Sequence, residues 1–449
     1  MTAYLVGVLV FVVGLAFSVA VHELGHLIPA KRFGIRCTQY MIGFGPTLWS
    51  RRFGDTEYGV RAIPLGGFVR ILGMLPPKPG TGPVTGTDPA HAPASAGTSG
   101  TGAREDALRE VGPEDANRLF YQRTVGQRLI IMLGGPLTNL LLATVLIGIT
   151  MTVFGIPTAT TRVATVSQCV LPVDAPADAT CTDDTPLAPA AEAGVLPGDQ
   201  IVAFAGQPVD TWAEVREAIR ANRGTAATLT VLRDGQRLDL TVTPLVSQRK
   251  ALDADGNPVT QNGVPVLVSV GFLGVSPEEE RAVQPLSAVP PVIGDGITQI
   301  AGVVLRIPEK MVGVAKAAFG SAERDPNSPV SVVGVGRFAG EIGRAQGTES
   351  APITRSDRIA GWLSLIASLN LALFVFNLIP LLPLDGGHVA GALWEGVRRG
   401  FARLRSRPDP GPVDVARALP LAYGVASVLI AMSVLLIYAD IVHPLSLDG

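Results

Sequence analysis

Residues 4–30 read YLVGVLVFVVGLAFSVAVHELGHLIPA, an apolar run broken only near its end by His22, Glu23 and His26. A run of this length winds into a helix that can cross a ~30 Å hydrocarbon core. Nothing basic precedes it and no small-residue cleavage site follows it, which argues for a retained span and against a removed leader. Ionisable side chains are costly in such a span and are usually functional. Here they take the form H-E-x-x-H. Residues four apart share one helix face, so His22 and His26 can offer two imidazoles to one metal ion. Glu23 can then reach a water as general base. The bland alternative is a polar cap where the helix leaves the bilayer.

Further apolar runs cover about 129–155, 361–384 and 419–441, giving four expected spans in all. Lys31, Arg32 and Arg36 at one end and Arg118, Arg123 and Arg128 at the other flank the connection between the first two. Arg398, Arg399, Arg403, Arg405, Arg407 and Arg417 lie between the last two. Basic residues mark the cytoplasmic side, so both termini and the segment 156–359 are expected outside the cytoplasm.

The composition agrees. The 449 residues are 47% hydrophobic and 16% charged, too apolar for an ordinary soluble protein and too polar to be all membrane. A net charge of -2 without basic runs lacks the electrostatic footprint of nucleic-acid binding, so no nucleic-acid partner is expected. Three cysteines cannot build a disulfide framework or a four-cysteine zinc site. Cys169 and Cys181 fall on the oxidising side and Cys37 on the reducing side. Spacing alone leaves open whether the first two pair.

Two histidines leave a catalytic zinc one protein ligand short. The other acid at the end of a span is Asp385, in NLIPLLPLDGGH (377–388), at the cytoplasmic end of the third run and so at the depth of His22 and His26. Pro380 and Pro383 break the last turns there, and Gly386–Gly387 permit a sharp turn. Irregular backbone at this depth belongs beside a cavity. Asp385 could also cap a cytoplasmic helix beginning near Gly387, and the two roles are compatible. Asn377 stands eight residues before Asp385, about two turns along the same helix face. Its amide could hold a substrate backbone or steady an oxyanion, or make an interhelical hydrogen bond instead. His388 is expected to face the cytoplasm and is not counted as a ligand.

Residues 31–75 carry aromatic and β-branched residues among glycines, including Gly43-Phe44-Gly45-Pro46 and Leu65-Gly66-Gly67-Phe68-Val69, a pattern of short strands and turns. Residues 76–117 are expected to be a disordered linker, Pro76 to Gly102 being dominated by Pro, Gly, Ala, Ser and Thr. In the external segment, a helical pattern from Trp212 to Ala221 precedes strands from Ala227 to Pro244 with a turn at Asp234–Gly235. Residues 285–345 read as an amphipathic helical segment, and 385–415 as a basic cytoplasmic loop.

These residues resemble the site-2 protease family of intramembrane zinc metalloproteases, in its bacterial PDZ-containing form. The match rests on His22-Glu23-x-x-His26, Gly43-Phe44-Gly45-Pro46, Gly135-Pro136-x-x-Asn139 and Asn377-x-x-Pro380-x-x-x-Leu384-Asp385-Gly386, in that order along nearly the whole chain. The resemblance implies an α-helical multi-pass protein of four transmembrane helices, with a membrane-re-entrant β segment and one extracytoplasmic α+β PDZ domain over 163–246. It implies Zn2+ held by His22, His26 and Asp385, with Glu23 activating water. Substrate contacts are implied at Gly43, Phe44 and Gly45 beside Asn377. It further implies a bacterial inner-membrane protein that cuts single-pass membrane proteins, such as anti-sigma factors, after they are trimmed outside. The PDZ domain would contact peptides or act as a size gate, and the sequence does not choose between them. Two other classes compete. A non-catalytic scaffold with structural zinc needs a fourth protein ligand that is not found, and an ion-coupled transporter needs an inverted repeat that four spans do not show.

Overall fold

The apolar run that opens the chain folds as one continuous helix, α1 (Thr2–Arg32), with Lys31 and Arg32 in its last turn, where cations complement the negative end of the helix dipole. The structure is a computed structural model that describes residues 1–76, 111–171, 180–182, 185–251, 259–261, 264–320, 324–325, 328–346 and 353–445. The chain divides into two units, one of residues 1–154 with 285–449 and the other of residues 155–284.

In the first unit α1 is followed by two long antiparallel strands, β1 (Cys37–Phe53) and β2 (Thr56–Ile71). Both strands bend. Gly43, Gly45 and Gly66 have φ of 90°, 84° and 102°, a region L side chains rarely enter. The bends fold each strand back, so that Tyr40 pairs with both Tyr58 and Val69, and Ile42 with both Val60 and Gly67. The outcome is a ribbon of four short segments in the order 47–53, 56–61, 37–42 and 67–71. Tyr40 ties it to α1 by donating its hydroxyl to the Ala20 carbonyl at 2.8 Å. Helix α2 (Val125–Ile149) starts at a capping box in which Gln127 N–H donates to Thr124 Oγ1 and Thr124 N–H to Gln127 Oε1. It runs on through a wider turn, Thr150–Phe154.

The second unit holds a sheet built from β3 (Ile156–Val166), β4 (Gln200–Phe204), β5 (Gln207–Pro208), β6 (Ala227–Arg233) and β7 (Gln236–Val242). Helix α3 (Trp212–Ala221) packs on it, and a hairpin of β8 (Leu245–Lys250) and β9 (Leu267–Phe272) leads to β10 (Val275–Ala282). The order is β10-β3-β4-β6-β7, with β5 on β4. Its core gathers Val163, Ile201, Val215, Leu229, Val231 and Val242, all buried. The helix and the strands with the Asp234–Gly235 turn stand where the sequence places them. The unit is wider than 163–246, because β10 pairs along β3 and so closes it from the far end of the segment. Cys169 and Cys181 form a disulfide, with their Cα atoms 5.8 Å apart.

The first unit resumes with α4 (Val289–Leu305), α5 (Ile307–Phe319), α6 (Val332–Arg344), α7 (Arg355–Asn377), α8 (Asp385–Leu404) and α9 (Leu419–Val442). Among the described residues five helices are long and apolar enough to cross a membrane, where the sequence suggests four. The addition is Leu286–Leu305, within the stretch read as amphipathic. The third apolar helix stops at Asn377 and not near 384, because Pro380 offers no N–H and disfavours helical geometry at Ile379. Residues 385–404, read as the start of a loop, are helical. Of the segment read as a linker, 77–110 lies outside the described residues. Residues 111–117 pack down, with Val111 buried against Leu72 and Leu119, and Asp115 accepting from Arg36 at 2.5 Å.

Candidate metal centre and active site

His22 and His26 sit one turn apart on α1, and Asp385 is the first residue of α8. The two Nε2 atoms are 3.3 Å apart, and each is 3.3 Å from Asp385 Oδ2. Ligand atoms on the ~2.0–2.1 Å arms of a zinc tetrahedron stand ~3.3–3.4 Å from one another. The three donors therefore already form one face of such a tetrahedron. Asp385 Oδ2 is buried and has no hydrogen-bond donor among the described residues, an acceptor that a cation would satisfy. The residue types and spacing fit zinc. No other group of three or more histidine, cysteine or acidic ligands clusters this way among the described residues.

Glycines let the helices come this close. At the crossing of α1 and α2, a methyl added to Gly25 would overlap the Gly134 carbonyl, and one added to Gly134 would overlap that of Gly25. One on Gly135 would run into both imidazoles. Small residues at helix crossings serve this purpose in membranes. After the break at Asn377, Gly386 and Gly387 pack against the 378–382 backbone, where a side chain would collide, and this seats Asp385.

The donors open into a cavity of ≈ 320 Å³ that Glu23, Asn377, Pro383 and His388 also line. Asn377 and Asp385 both line the cavity, but they lie on separate helices and not, as the sequence suggests, two turns apart on one face. His388, expected to face the cytoplasm, points to the same cavity while staying outside the three-donor cluster. Gly43, Phe44 and Gly45 form the strand bend and do not line it. Phe44 instead stacks on Phe68, at 6.5 Å between ring centroids. The strand that does line it is Gly67, Phe68, Val69 and Ile71. These residues pair on one side with 37–42, and no strand among the described residues pairs with the other. A Cβ on Gly67 would crowd Glu23 Cγ at 3.1 Å, so glycine brings this strand against the acid. The Gly66-Gly67-Phe68 stretch was readable as strand; its place beside the histidines depends on long-range pairing.

Two imidazoles and a glutamate on a helix apolar enough to span a membrane, with a carboxylate brought beside them after another such helix and next to an unpaired strand edge, make up the site of a membrane-embedded zinc protease. The chain belongs to peptidase family M50, whose sequence profile matches residues 10–407. It is 31% identical over 447 residues to the zinc metalloprotease Rip1 of Mycobacterium tuberculosis, covering 99% of each chain. It is 32% identical over 453 residues to the Rip1 of Mycolicibacterium smegmatis, covering 98% of each. With the metalloprotease MmpA of Caulobacter vibrioides it shares 28% identity over 408 residues, 88% of this chain and 89% of that one. The protein is a multi-pass zinc metalloprotease of the site-2 type, with Zn2+ as its cofactor.

Proposed function

We propose that this protein carries out regulated intramembrane proteolysis of single-pass membrane proteins such as anti-sigma factors, once their external parts have been trimmed. The mutual 3.3 Å spacing of His22 Nε2, His26 Nε2 and Asp385 Oδ2 carries the reading. These three residues hold zinc, which when bound supplies Lewis acidity to the scissile carbonyl and to water. With three protein ligands one position stays open, as in catalytic and not structural sites.

Glu23 takes a proton from the attacking water as the new C–O bond forms. It then delivers that proton to the amide nitrogen as the C–N bond breaks, leaving a carboxylic acid and an amine, and the acid's proton passes to the amine to give carboxylate and ammonium. The Asn377 amide donates to the oxyanion or to the substrate backbone. The substrate lies as an added strand along the open edge of 67–71, held through its backbone, with Gly43, Phe44 and Gly45 shaping the turn that presents that edge.

Four helices, α1, α2, α7 and α9, cross the bacterial inner membrane, with both termini and the 155–284 unit outside the cytoplasm. The segment 286–305 does not add a fifth crossing. If it did, Asp385 would fall at the opposite face from His22, and the two are 3.3 Å apart. Packing of α6 through Gly340 onto Tyr4, at the N-terminal end of α1, likewise supports a return of 285–344 to the outer side. The 155–284 unit is a PDZ domain that excludes untrimmed substrates or contacts their peptides.

The test is a single-span reporter expressed beside the protease in bacterial membranes, with and without a large folded external domain. Cleavage of the short form by the wild type but not by Glu23→Gln supports the proposal. Equal cleavage of both forms would remove the trimming step, and equal cleavage by both enzymes would remove the proposal.

A further inference from the structure

Both zinc-facing imidazoles direct their second nitrogen at α2. His26 Nδ1 lies 2.7 Å from the Ile131 carbonyl, an acceptor only, so Nδ1 carries the proton and Nε2 keeps its lone pair toward Asp385. His22 Nδ1 lies 3.1 Å from the side-chain amide of Asn139, which is fully buried. Drawn with Nδ2 on the imidazole, that amide leaves its buried Oδ1 with no partner. It also turns His22 into the wrong tautomer. An N–H donated to Nδ1 puts the ring proton on Nε2, where it faces His26 and Asp385 and blocks a metal. A half-turn of the amide exchanges O for N at the same place. Oδ1 then accepts from Nδ1–H, and His22 matches His26.

We infer that Asn139 is a positioning residue that accepts the His22 Nδ1 proton through Oδ1, locking the tautomer whose Nε2 binds zinc. It and the Ile131 carbonyl make one face of α2 the outer support of both histidines. The inference rests on the zinc reading above. It goes beyond the donor set in giving a task to the asparagine of Gly135-Pro136-x-x-Asn139. Partners of this kind typically set metal affinity by 10–100-fold.

Zinc affinity of the full-length protein in detergent, measured by competition with a chromophoric chelator, separates the possibilities without reference to activity. Asn139→Leu keeps the volume and removes both donor and acceptor; its affinity is expected to fall ~10–100-fold, while the melting temperature of the zinc-stripped protein stays at the wild-type value. Asn139→Asp keeps only acceptors and is expected to restore affinity to within about threefold of wild type, because an accepting partner raises ligand basicity. An Asn139→Leu protein that binds zinc as wild type does would overturn the inference, as would an Asn139→Asp protein as weak as Asn139→Leu. Should Asn139→Leu fail to fold, Asn139→Asp decides alone, since a donor role predicts its loss of affinity. His22→Ala and Asp385→Ala distinguish this failure from that of the zinc reading. If they too bind like wild type, the donor set is wrong. If they lose zinc and Asn139→Leu does not, only the role of Asn139 is.

Discussion

Gly25 of α1 and Gly134 of α2 meet backbone to backbone, each occupying the space where the other's Cβ would stand. Neither residue touches a reacting atom, yet the contact fixes how near α2 comes to the two histidines. Gly25→Val or Gly134→Val must push the helices apart. Overpacking of this kind costs about 1–3 kcal/mol. The expected outcome is a lower unfolding midpoint with weakened zinc binding, whereas the same change at Gly126, which meets nothing within 4 Å, should leave zinc binding intact. Zinc content after gel filtration reads the difference.

Glu395 of α8 is fully buried, accepts from Arg128 of α2 and from the Val413 N–H at 3.0 Å, and forms an ion pair with Arg399 at 3.1 Å. This network clamps the helix whose first residue is Asp385. Removing one partner of a buried pair strands a charge, at a cost of about 3–5 kcal/mol, while replacing both with apolar residues is often near neutral. Glu395→Met should therefore destabilise strongly, and adding Arg128→Met should recover much of the loss. Chemical unfolding of the purified single and double variants measures the coupling.

In the 155–284 unit, Asp199 is buried. Burial opposes its ionisation, but two hydrogen bonds from Arg233 at 2.7 and 2.8 Å and one from the Leu196 N–H outweigh it and hold the carboxyl below its usual range. A carboxyl depressed in the folded state contributes stability that is complete above its unfolded value of ~3.9 and is lost as pH falls through the folded value. Thermal unfolding of the 155–284 fragment, which has its own core, should lose stability on acidification below about pH 4 more steeply than an Asp199→Asn fragment. Parallel acid curves would contradict this.

The Cys169–Cys181 disulfide closes a loop with a sequence separation of 12. Loop-closure entropy assigns such a bridge about 3 kcal/mol. Reduction should lower the melting temperature of the same fragment, and a Cys169→Ser/Cys181→Ser fragment should melt at the reduced value and ignore reductant.

Much of the site was legible in the chain. His22, Glu23 and His26 stood out because charge in an apolar run demands a reason, and Asp385 because it ends a span of matching polarity. The run-length reading could not see that the third helix ends at Asn377, since apolar residues continue past the backbone break that Pro380 imposes. Gly43 and Gly45 were legible as a glycine-rich turn, but it is Gly67, Phe68, Val69 and Ile71 that line the cavity beside the histidines. Which segment faces the histidines depends on β1 pairing on both sides, a register that no local pattern encodes. Asn139 was visible only as part of a motif, because its partner His22 is 117 residues away. The segment 285–345 read as amphipathic because its charges are spaced along it, yet within it 286–305 forms a helix long and apolar enough to cross a membrane.

The most direct measurement pairs zinc quantification with cleavage of a short single-span peptide, using detergent-purified wild type and Glu23→Gln. The account predicts that both proteins hold one equivalent of zinc and only the wild type cuts. Cleavage by Glu23→Gln at the wild-type rate would contradict it, as would a variant with His22, His26 and Asp385 all replaced that cuts as well as the wild type.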